Sequence, residues 1–322
     1  MPFTKKPHAF KAAINEVTIG TGAKAVTIGG ECTFPFYTFD AEGKHKPIIG
    51  AEIADIGYEA ETEGYKAFFG TEDMTERAKK AAAMDEVAFI CLHFAGADPF
   101  GANKSVEECV NAAKAVAEAV DKPLVVMGCK NIEKDTELFS KVAEALAGKN
   151  IVILSAREEN YKTVGASAAL AYNQKVSAES AVDINLAKQL NVLMMQLGVN
   201  SGSMLMNLGS ASAGYGYEYV ASTMDRVRSA ALGQNDTQLQ MPVITPISTE
   251  TWAVKESIAE EADIPEWGAR EERGIDMEVV TAAACLAAGS DAVILFCFHF
   301  FPKILTKCSF IFFNSIIIIH II

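Results

Sequence analysis

Eight short, continuously apolar segments recur along residues 48–296, and seven amphipathic segments lie between them. Continuous apolar runs are typical of parallel strands that are buried on both faces, whereas half-exposed strands alternate. The apolar segments are 48–53, 87–94, 123–128, 151–155, 176–180, 203–207, 242–247 and 291–296. Helices are predicted at 72–84, 104–120, 134–147, 158–172, 184–197, 217–232 and 270–288. This alternation favours an α/β fold, a (β/α)8 barrel of about 250 residues, over a doubly wound open sheet.

The barrel segment, 48–296, is predicted to carry an addition at each end. Residues 1–47 contain two β-type stretches, 13–20 and 24–30, that flank a glycine turn and indicate a β-rich N-terminal extension. No linker rich in Pro, Gly or Ser divides the chain, so the prediction is one domain with an extension. No G-x-G-x-x-G motif follows the first strand, and the usual dinucleotide fingerprint is therefore missing.

The last segment, 297–322, differs from the rest of the chain in composition. It is mostly Phe, Ile, Lys and Asn, and it contains no Ala, Gly, Val, Asp or Glu. A membrane-spanning helix needs about 20 mostly apolar residues, and Pro302, Lys303 and Lys307 interrupt this one. AT-rich DNA read out of frame encodes such a composition. We therefore interpret 297–322 as an aberrant hydrophobic tail that replaces the last barrel helix, with a membrane anchor as the alternative.

Charge and cysteine content exclude several classes of protein. Asp and Glu number 41 against 28 Lys and Arg, a net charge of −13, so phosphate backbones are repelled and nucleic acid is not an expected partner. The N-terminus lacks the apolar run of a signal peptide, which favours a cytoplasmic protein without a membrane partner. Seven cysteines occur without any C-x-x-C pair, so neither a metal site nor an iron–sulfur cluster is expected on this chain.

Polar residues follow the predicted strands, at the end where (β/α)8 barrels place their functional loops. Glu52 follows the first strand and is equally compatible with a site residue and a structural one. His93 lies within an apolar strand, where a hydrogen-bonded core histidine is the more common finding. Asp98 and Asn103 also suit helix caps or Asx turns. No nucleophile elbow, phosphate loop or H-E-x-x-H motif occurs, so these residues predict a polar barrel mouth and no catalytic group.

Several stretches, taken in order, resemble one known family. They are GADPFGAN (96–103), PLVVMGC (123–129), EENYK (158–162), DINLAKQLN (183–191), GYGYEY (214–219) and W-G-x-x-x-E-R-G (267–274). Together they are similar to the small (delta) subunit of the corrinoid iron–sulfur protein in the acetyl-CoA decarbonylase/synthase (CO dehydrogenase/acetyl-CoA synthase) complex. The similarity extends from the N-terminal segment to about residue 296.

The resemblance implies a TIM barrel that shares a corrinoid (cobamide) with a large corrinoid iron–sulfur subunit, which holds the cluster. The cobalt would carry a methyl group from a methyltetrahydrofolate or tetrahydropterin methyltransferase to acetyl-CoA synthase, in the reductive acetyl-CoA pathway. Both enzymes would be transient partners, and the subunit itself would not be catalytic alone. Combined with loop position, the resemblance places seven residues near the cofactor: Asp98, Asn103, Asn160, Asn207, Gly214, Tyr215 and Gly216.

The sequence departs from the family pattern in two places, and two other functions are alternatives to the one that the resemblance implies. The family has an Asp-Pro type pair where this chain has Asn207-Leu208, and it continues after the eighth strand with a polar loop and a charged helix. The main alternative function is a pterin-dependent methyltransferase that binds methyltetrahydrofolate with Asp and Asn side chains at the barrel mouth. A lyase or aldolase ranks last, because no Schiff-base lysine lies at a strand end.

Overall fold

A computed structural model describes residues 9–35, 37, 43–57 and 61–297. Two short strands, β1 (Val17–Ile19) and β2 (Val26–Ile28), pair antiparallel in the N-terminal extension. The strands that follow are β3 (Ile48–Ala54), β4 (Phe89–His93), β5 (Leu124–Met127), β6 (Val152–Ala156), β7 (Lys175–Glu179), β8 (Met204–Asn207), β9 (Ile244–Pro246) and β10 (Ala292–Leu295). All eight predicted barrel strands are therefore present, within one or two residues of the expected bounds.

The strands β3–β10 form a closed parallel barrel. Neighbours along the chain pair in parallel from β3 to β8, β10 pairs with both β9 and β3, and a parallel bridge between Met206 and Val243 joins β8 to β9. A doubly wound sheet would have strand order reversing at a central switch point, which this order lacks. The predicted (β/α)8 barrel is confirmed.

Ten α-helices are present among the described residues. They are α1 (Glu63–Phe69), α2 (Met74–Ala82), α3 (Val106–Ala119), α4 (Ile132–Ala145), α5 (Tyr161–Val164), α6 (Ile184–Leu197), α7 (Tyr217–Arg228), α8 (Ser248–Thr251), α9 (Lys255–Ile258) and α10 (Arg270–Ala288). Helices α5 and α7 continue into π-helical turns, 165–171 and 229–233. All seven predicted helices form, whereas α1, α8 and α9 were not predicted.

Local sequence signals set the ends of the outer helices. Ser105 and Glu108 form a capping box at the start of α3, with both reciprocal hydrogen bonds present. Asp183 caps α6 by accepting two backbone N–H groups, and Gly198 ends that helix in the left-handed conformation. These caps fix where each helix begins relative to the strand before it, and so they fix the loops at the barrel mouth.

The N-terminal extension closes the floor of the barrel, the end at which the parallel strands begin. Val17, Ile19 and Ile28 are fully buried and pack with the inward side chains of the barrel strands. Asn150, just before β6, donates its side-chain amide to the backbone oxygens of Thr18 and Gly20, both at 2.9 Å. The strands of the extension therefore act as a plug, and the opposite end of the barrel is left for the functional loops.

Beyond β10 the described chain ends at Cys297. Glu278 of α10 accepts the backbone N–H groups of Phe296 and Cys297 at 2.7 and 2.8 Å, and the Phe296 ring stacks on Tyr65 at 4.3 Å. The rest of the predicted tail, and with it the predicted loss of the last helix, lies outside the described residues. Within the described part of the chain, no helix is long and apolar enough to cross a membrane. The domain boundaries at 47 and 296 stay a prediction.

Candidate functional site at the barrel mouth

A buried hydrogen-bonded group joins three elements at the barrel mouth. Glu52 in β3 and His93 at the end of β4 are linked by a hydrogen bond of 2.7 Å between Glu52 Oε1 and His93 Nδ1. Ser248, at the start of α8, donates its hydroxyl to the other oxygen of the Glu52 carboxylate. Both oxygens of this nearly fully buried carboxylate therefore have partners. The sequence favoured a hydrogen-bonded core histidine at position 93. The structure agrees, because His93 is buried and has a hydrogen-bond partner.

A small polar cleft lies beside this group, between the ends of β5 and β9. It has a volume of about 60 Å³. Part of its polar lining comes from the ends of β6, β7 and β8, from the loop after β6 and from α4: Ser155, Glu179, Asn207, Arg157, Asn160 and Asp135. Enclosed small-molecule sites have volumes of roughly 300–1,000 Å³. At about 60 Å³, this cleft is smaller than an enclosed small-molecule site.

Two predicted site residues, Asn160 and Asn207, line this cleft. Asn160 accepts from the Arg157 backbone N–H at 2.8 Å and donates to Thr136 Oγ1 at 3.0 Å. Asn207 donates to Ser155 Oγ at 3.1 Å and accepts from the Gly209 backbone N–H at 3.0 Å. Both amides are buried, and the observed bonds hold the loops that follow β6 and β8.

The loop after β4 carries two more predicted residues, Asp98 and Asn103. Asp98 accepts the Phe100 N–H on its side chain at 2.9 Å and the Asn103 N–H on its backbone oxygen at 3.0 Å, an Asx turn as the sequence allowed. Asn103 has a φ of 48° and accepts from Lys134 Nζ at 3.3 Å. This turn projects Phe100, which is 93% exposed.

The loop after β8 carries Gly214, Tyr215 and Gly216. Both glycines have positive φ, 86° and 91°, which favours glycine at these positions. The Tyr215 ring is 49% exposed, and its hydroxyl donates to Glu256 Oε2 at 2.5 Å. This bond ties the glycine loop to α9 and holds an aromatic ring at the rim of the mouth.

The loop after β5 shows why a glycine precedes a cysteine there. Asp135 of α4 turns back and accepts the Cys129 backbone N–H at 2.8 Å. A Cβ on Gly128 would collide with that carboxylate. Burial raises the pKa of the Cys129 thiol to about 12 and raises the pKa of Asp135. Cys129 is therefore a protonated thiol at neutral pH and not an activated nucleophile.

Ion pairs surround the cleft on the solvent side. Arg157 and Glu179 form a half-buried pair at 2.8 Å, across the loops after β6 and β7. Lys130 lies 3.3 Å from Glu250 in an exposed pair. Arg157 and Lys130 therefore each have an anionic partner at this edge of the cleft. The four groups together add no net charge to the cleft.

A larger cleft, of about 700 Å³, lies at the opposite end of the barrel. It is bounded by Gly20, Lys122, Pro123 and Lys149, next to the N-terminal plug. Lys122 donates to the backbone oxygens of Met84 and Val87, and Lys149 donates to Ala117 O at 3.2 Å. These lysines therefore donate hydrogen bonds to backbone carbonyl groups at helix ends and in turns between elements. We assign the candidate site to the mouth, because functional loops of (β/α)8 barrels follow the strands.

The structure brings together only part of the predicted set. Asn160 and Asn207 share one cleft, whereas Asp98 and Asn103 occupy a loop on one side of the mouth and 214–216 a loop on the other. The buried Glu52, His93 and Ser248 group was not predicted as a unit. Among the described residues, no group of three or more His, Cys, Asp or Glu side chains could hold a metal ion.

Comparison with known proteins fixes the family. Residues 16–295 match the family described as the CO dehydrogenase/acetyl-CoA synthase delta subunit. The chain belongs to this family. Curated relatives include the acetyl-CoA decarbonylase/synthase complex subunit delta of Archaeoglobus fulgidus, 32% identical over 279 residues, which cover 84% of this chain and 61% of that protein. Subunit delta 1 of Methanosarcina thermophila is 32% identical over 281 residues, covering 84% and 63%.

The match covers only part of these relatives, and the fold is shared with other barrels. The chain spans a little over 60% of the length of the curated delta subunits it matches. Similar solved structures include dihydropteroate synthases of Vibrio fischeri, with a TM-score of 0.55 and 10% identity covering 92% and 99% of the two chains, and of Xanthomonas albilineans, with 0.52 and 12% covering 92% and 98%. These structures support the barrel fold alone.

Proposed function

We propose that this delta-family chain covers a corrinoid at the interface with a large corrinoid iron–sulfur subunit. In this role it assists the transfer of a methyl group from a methyltetrahydrofolate or tetrahydropterin methyltransferase to acetyl-CoA synthase. The observation that carries the proposal is the shape of the mouth. The mouth has a narrow polar cleft of about 60 Å³, and exposed aromatic side chains lie on two separate loops around the mouth.

The residues at the mouth fit a broad, flat ligand with amide groups at its edge, which is the chemistry of a corrinoid. A cleft of this size cannot enclose such a ring, so the chain could cover only one face of it. Phe100 and Tyr215 offer apolar area to a flat ring, and Asn103 offers an exposed amide. The second face would then belong to another subunit, which agrees with membership in a family named for a subunit of a complex.

The side chains of this chain have holding roles in the proposal. Glu256 orients Tyr215 through the 2.5 Å hydrogen bond, and Lys134 and the Asp98 turn orient Asn103. The buried Glu52, His93 and Ser248 group keeps the strand ends together beneath the covered face. When bound, the corrinoid supplies the cobalt chemistry of methyl transfer, while the protein supplies orientation and exclusion of water.

In this proposal the subunit is not catalytic alone. Burial holds Cys129 as a thiol, and burial together with the charge of Glu52 raises the pKa of Cys91 well above its usual value. The cleft volume also weighs against the alternative of a pterin-dependent methyltransferase, which would need a pocket for a bicyclic ring.

The test is co-purification. The chain, tagged at its N-terminus, would be co-expressed with a large corrinoid iron–sulfur subunit in cells supplied with cobalamin, and the complex examined by visible absorption. We expect a stoichiometric complex that carries a corrinoid band. The double substitution Phe100→Ala and Tyr215→Ala should lower corrinoid retention at least tenfold. Val280→Ala, at an exposed apolar position on α10 away from the mouth, should leave it unchanged.

Two results would contradict the proposal. One is a complex whose corrinoid content is the same with and without the double substitution. The other is methyl transfer from methyltetrahydrofolate to free cobalamin by this chain in isolation, which would favour the pterin-dependent methyltransferase.

A further inference from the structure

A buried charge cluster joins the N-terminal plug to the floor of the barrel. Arg228, the last residue of α7, donates from Nη2 to Asp291 Oδ2 at 2.6 Å and from Nε to Gly289 O at 3.2 Å. The same Asp291 oxygen accepts the Val243 backbone N–H at 2.6 Å. Asp291 immediately precedes β10, and its carboxylate is thereby fixed between β9, β10 and α7.

The N-terminal extension contributes a second carboxyl group to this cluster. Glu31 Oε2 lies 3.9 Å from Arg228 Nη1, and the side chain is only 22% exposed. The Glu31 backbone oxygen accepts from Ile14 N–H at 2.9 Å, within the same extension. One guanidinium group therefore faces two carboxyl groups, and if both were ionised the cluster would hold an uncompensated negative charge away from water.

The surroundings favour a proton on Glu31. Burial first, and the charge of Asp291 next, raise the pKa of Glu31 from 4.5 to about 8, against the opposing effect of Arg228. Among the described residues of the extension, Glu16 is paired with Lys44 at 2.8 Å and contacts His45 at 2.6 Å, on the solvent side. On the barrel side, Asp291 and Arg228 are the main charged groups that act on Glu31.

We propose that Glu31, Asp291 and Arg228 form a proton-dependent latch that holds the N-terminal plug on the barrel floor. With a proton on Glu31, the two carboxyl groups and the guanidinium carry no net charge, and the plug keeps Val17 and Ile19 in the barrel interior. Loss of that proton places two anions against one cation and weakens the contact of the plug with the barrel.

The sign of the effect follows from the direction of the shift. A carboxyl group whose pKa is higher in the folded state stabilises that state most below its unfolded value, here 4.5, and this contribution is lost as pH rises through about 8. The latch is therefore tightest under acidic conditions and open under mildly alkaline ones. The plug should respond locally, because Glu31 is its own residue.

Hydrogen–deuterium exchange of the full chain, read by mass spectrometry at pH 6.5 and pH 9, tests the latch. Exchange is expressed as protection factors, which removes the intrinsic pH dependence. In the wild type, peptides from 9–35 should lose protection about tenfold or more at the higher pH, while peptides from β5 and β6 keep theirs. In Glu31→Gln, whose neutral amide mimics the protonated carboxyl, protection of 9–35 should be independent of pH.

The matched control is Glu16→Gln, a carboxyl of the same extension whose pKa is lowered by Lys44 and His45. It should retain the wild-type loss of protection. A wild type without a local change in 9–35 would overturn the proposal without reference to any variant. A Glu31→Gln chain that loses protection to the same extent as the wild type would also overturn it.

Discussion

The two ends of the barrel are built from the same eight strands, and they differ in almost every other respect. At the floor, an antiparallel pair of strands inserts apolar side chains into the barrel, and the neighbouring Arg228–Asp291 ion pair is buried. At the mouth, glycine-containing loops surround a polar cleft and carry exposed aromatic rings. This difference indicates that the floor stabilises the fold, while the mouth remains free to bind.

Both ends of the barrel contain buried carboxyl groups, and burial disfavours their ionised form. The hydrogen-bond and ion-pair partners of these carboxyl groups differ between the two ends. At the floor, Glu31 shares one arginine with Asp291. At the mouth, Glu52 is held by a histidine and a serine, and Glu278 by two backbone N–H groups. The mouth carboxylates therefore act on chain segments near the candidate surface, and the floor pair acts on the plug.

The largest expected difference between the two ends is in stability. Ile19→Ala removes a fully buried side chain of the plug and should lower the free energy of unfolding by about 3 kcal/mol. Phe100→Ala removes a larger but exposed side chain of the mouth. This substitution should change the free energy of unfolding by no more than about 0.5 kcal/mol. Urea denaturation of the two variants measures both values. Equal losses would remove the distinction between a stabilising floor and a binding mouth.

A second prediction concerns the pH dependence of the mouth end. Burial raises the pKa of Glu278 to about 7, against the two backbone N–H groups that it accepts. Its protonated form stabilises the fold fully below about 4.5, and the contribution is lost as pH rises through 7. Glu278→Gln should reduce the fall in unfolding free energy between pH 5 and pH 8 by about 1–3 kcal/mol. An unchanged slope in this variant would show that Glu278 is not the group that titrates.

Substituting an amide that lines the cleft should have an intermediate effect on the free energy of unfolding. Asn160→Ala removes the partner of the Arg157 N–H and of Thr136 Oγ1 in a buried place, and it should cost about 1–2 kcal/mol in thermal or urea unfolding. Asn103→Gly, at an exposed amide whose positive φ of 48° glycine also adopts, should cost less than about 0.5 kcal/mol. A stable Asn160→Ala chain would mean that this amide is free for a ligand and not committed to the loop.

The smallest effect on stability is expected at the rim. Tyr215→Phe removes the hydroxyl that donates to Glu256 but keeps the ring, and an exposed bond of this kind contributes little to stability because water competes for both partners. Unfolding should hardly change, whereas proteolysis within 208–216 should become faster as the loop loses its tie to α9. If the rate of cleavage is unchanged, Glu256 does not hold the loop.

Sequence periodicity predicted the barrel because a buried parallel strand is defined by its own apolar run, and each helix by its own stripe and caps. Short helices such as α8 and α9 were not predicted, because four residues carry no periodic signal. The Asx turn at Asp98 was also accessible, because donor and acceptor lie two residues apart. Local signals therefore account for most of the fold.

The candidate site was predicted less completely, because its contacts join distant parts of the chain. Glu52 and Ser248 are 196 residues apart, and Tyr215 and Glu256 are 41 apart. No periodicity or motif connects such pairs before the barrel closes. The sequence did indicate the polar loops after the strands, but the internal use of Asn160 and Asn207 became visible only with the geometry.

Hydrogen–deuterium exchange of the free chain and of its complex with a large corrinoid iron–sulfur subunit tests whether the mouth, and not the floor, binds the partner. We expect complex formation to protect peptides covering 96–104 and 209–219, while 9–35 and 117–124 at the floor exchange as they do in the free chain. Protection confined to the floor peptides, with the mouth loops unchanged, would contradict this expectation.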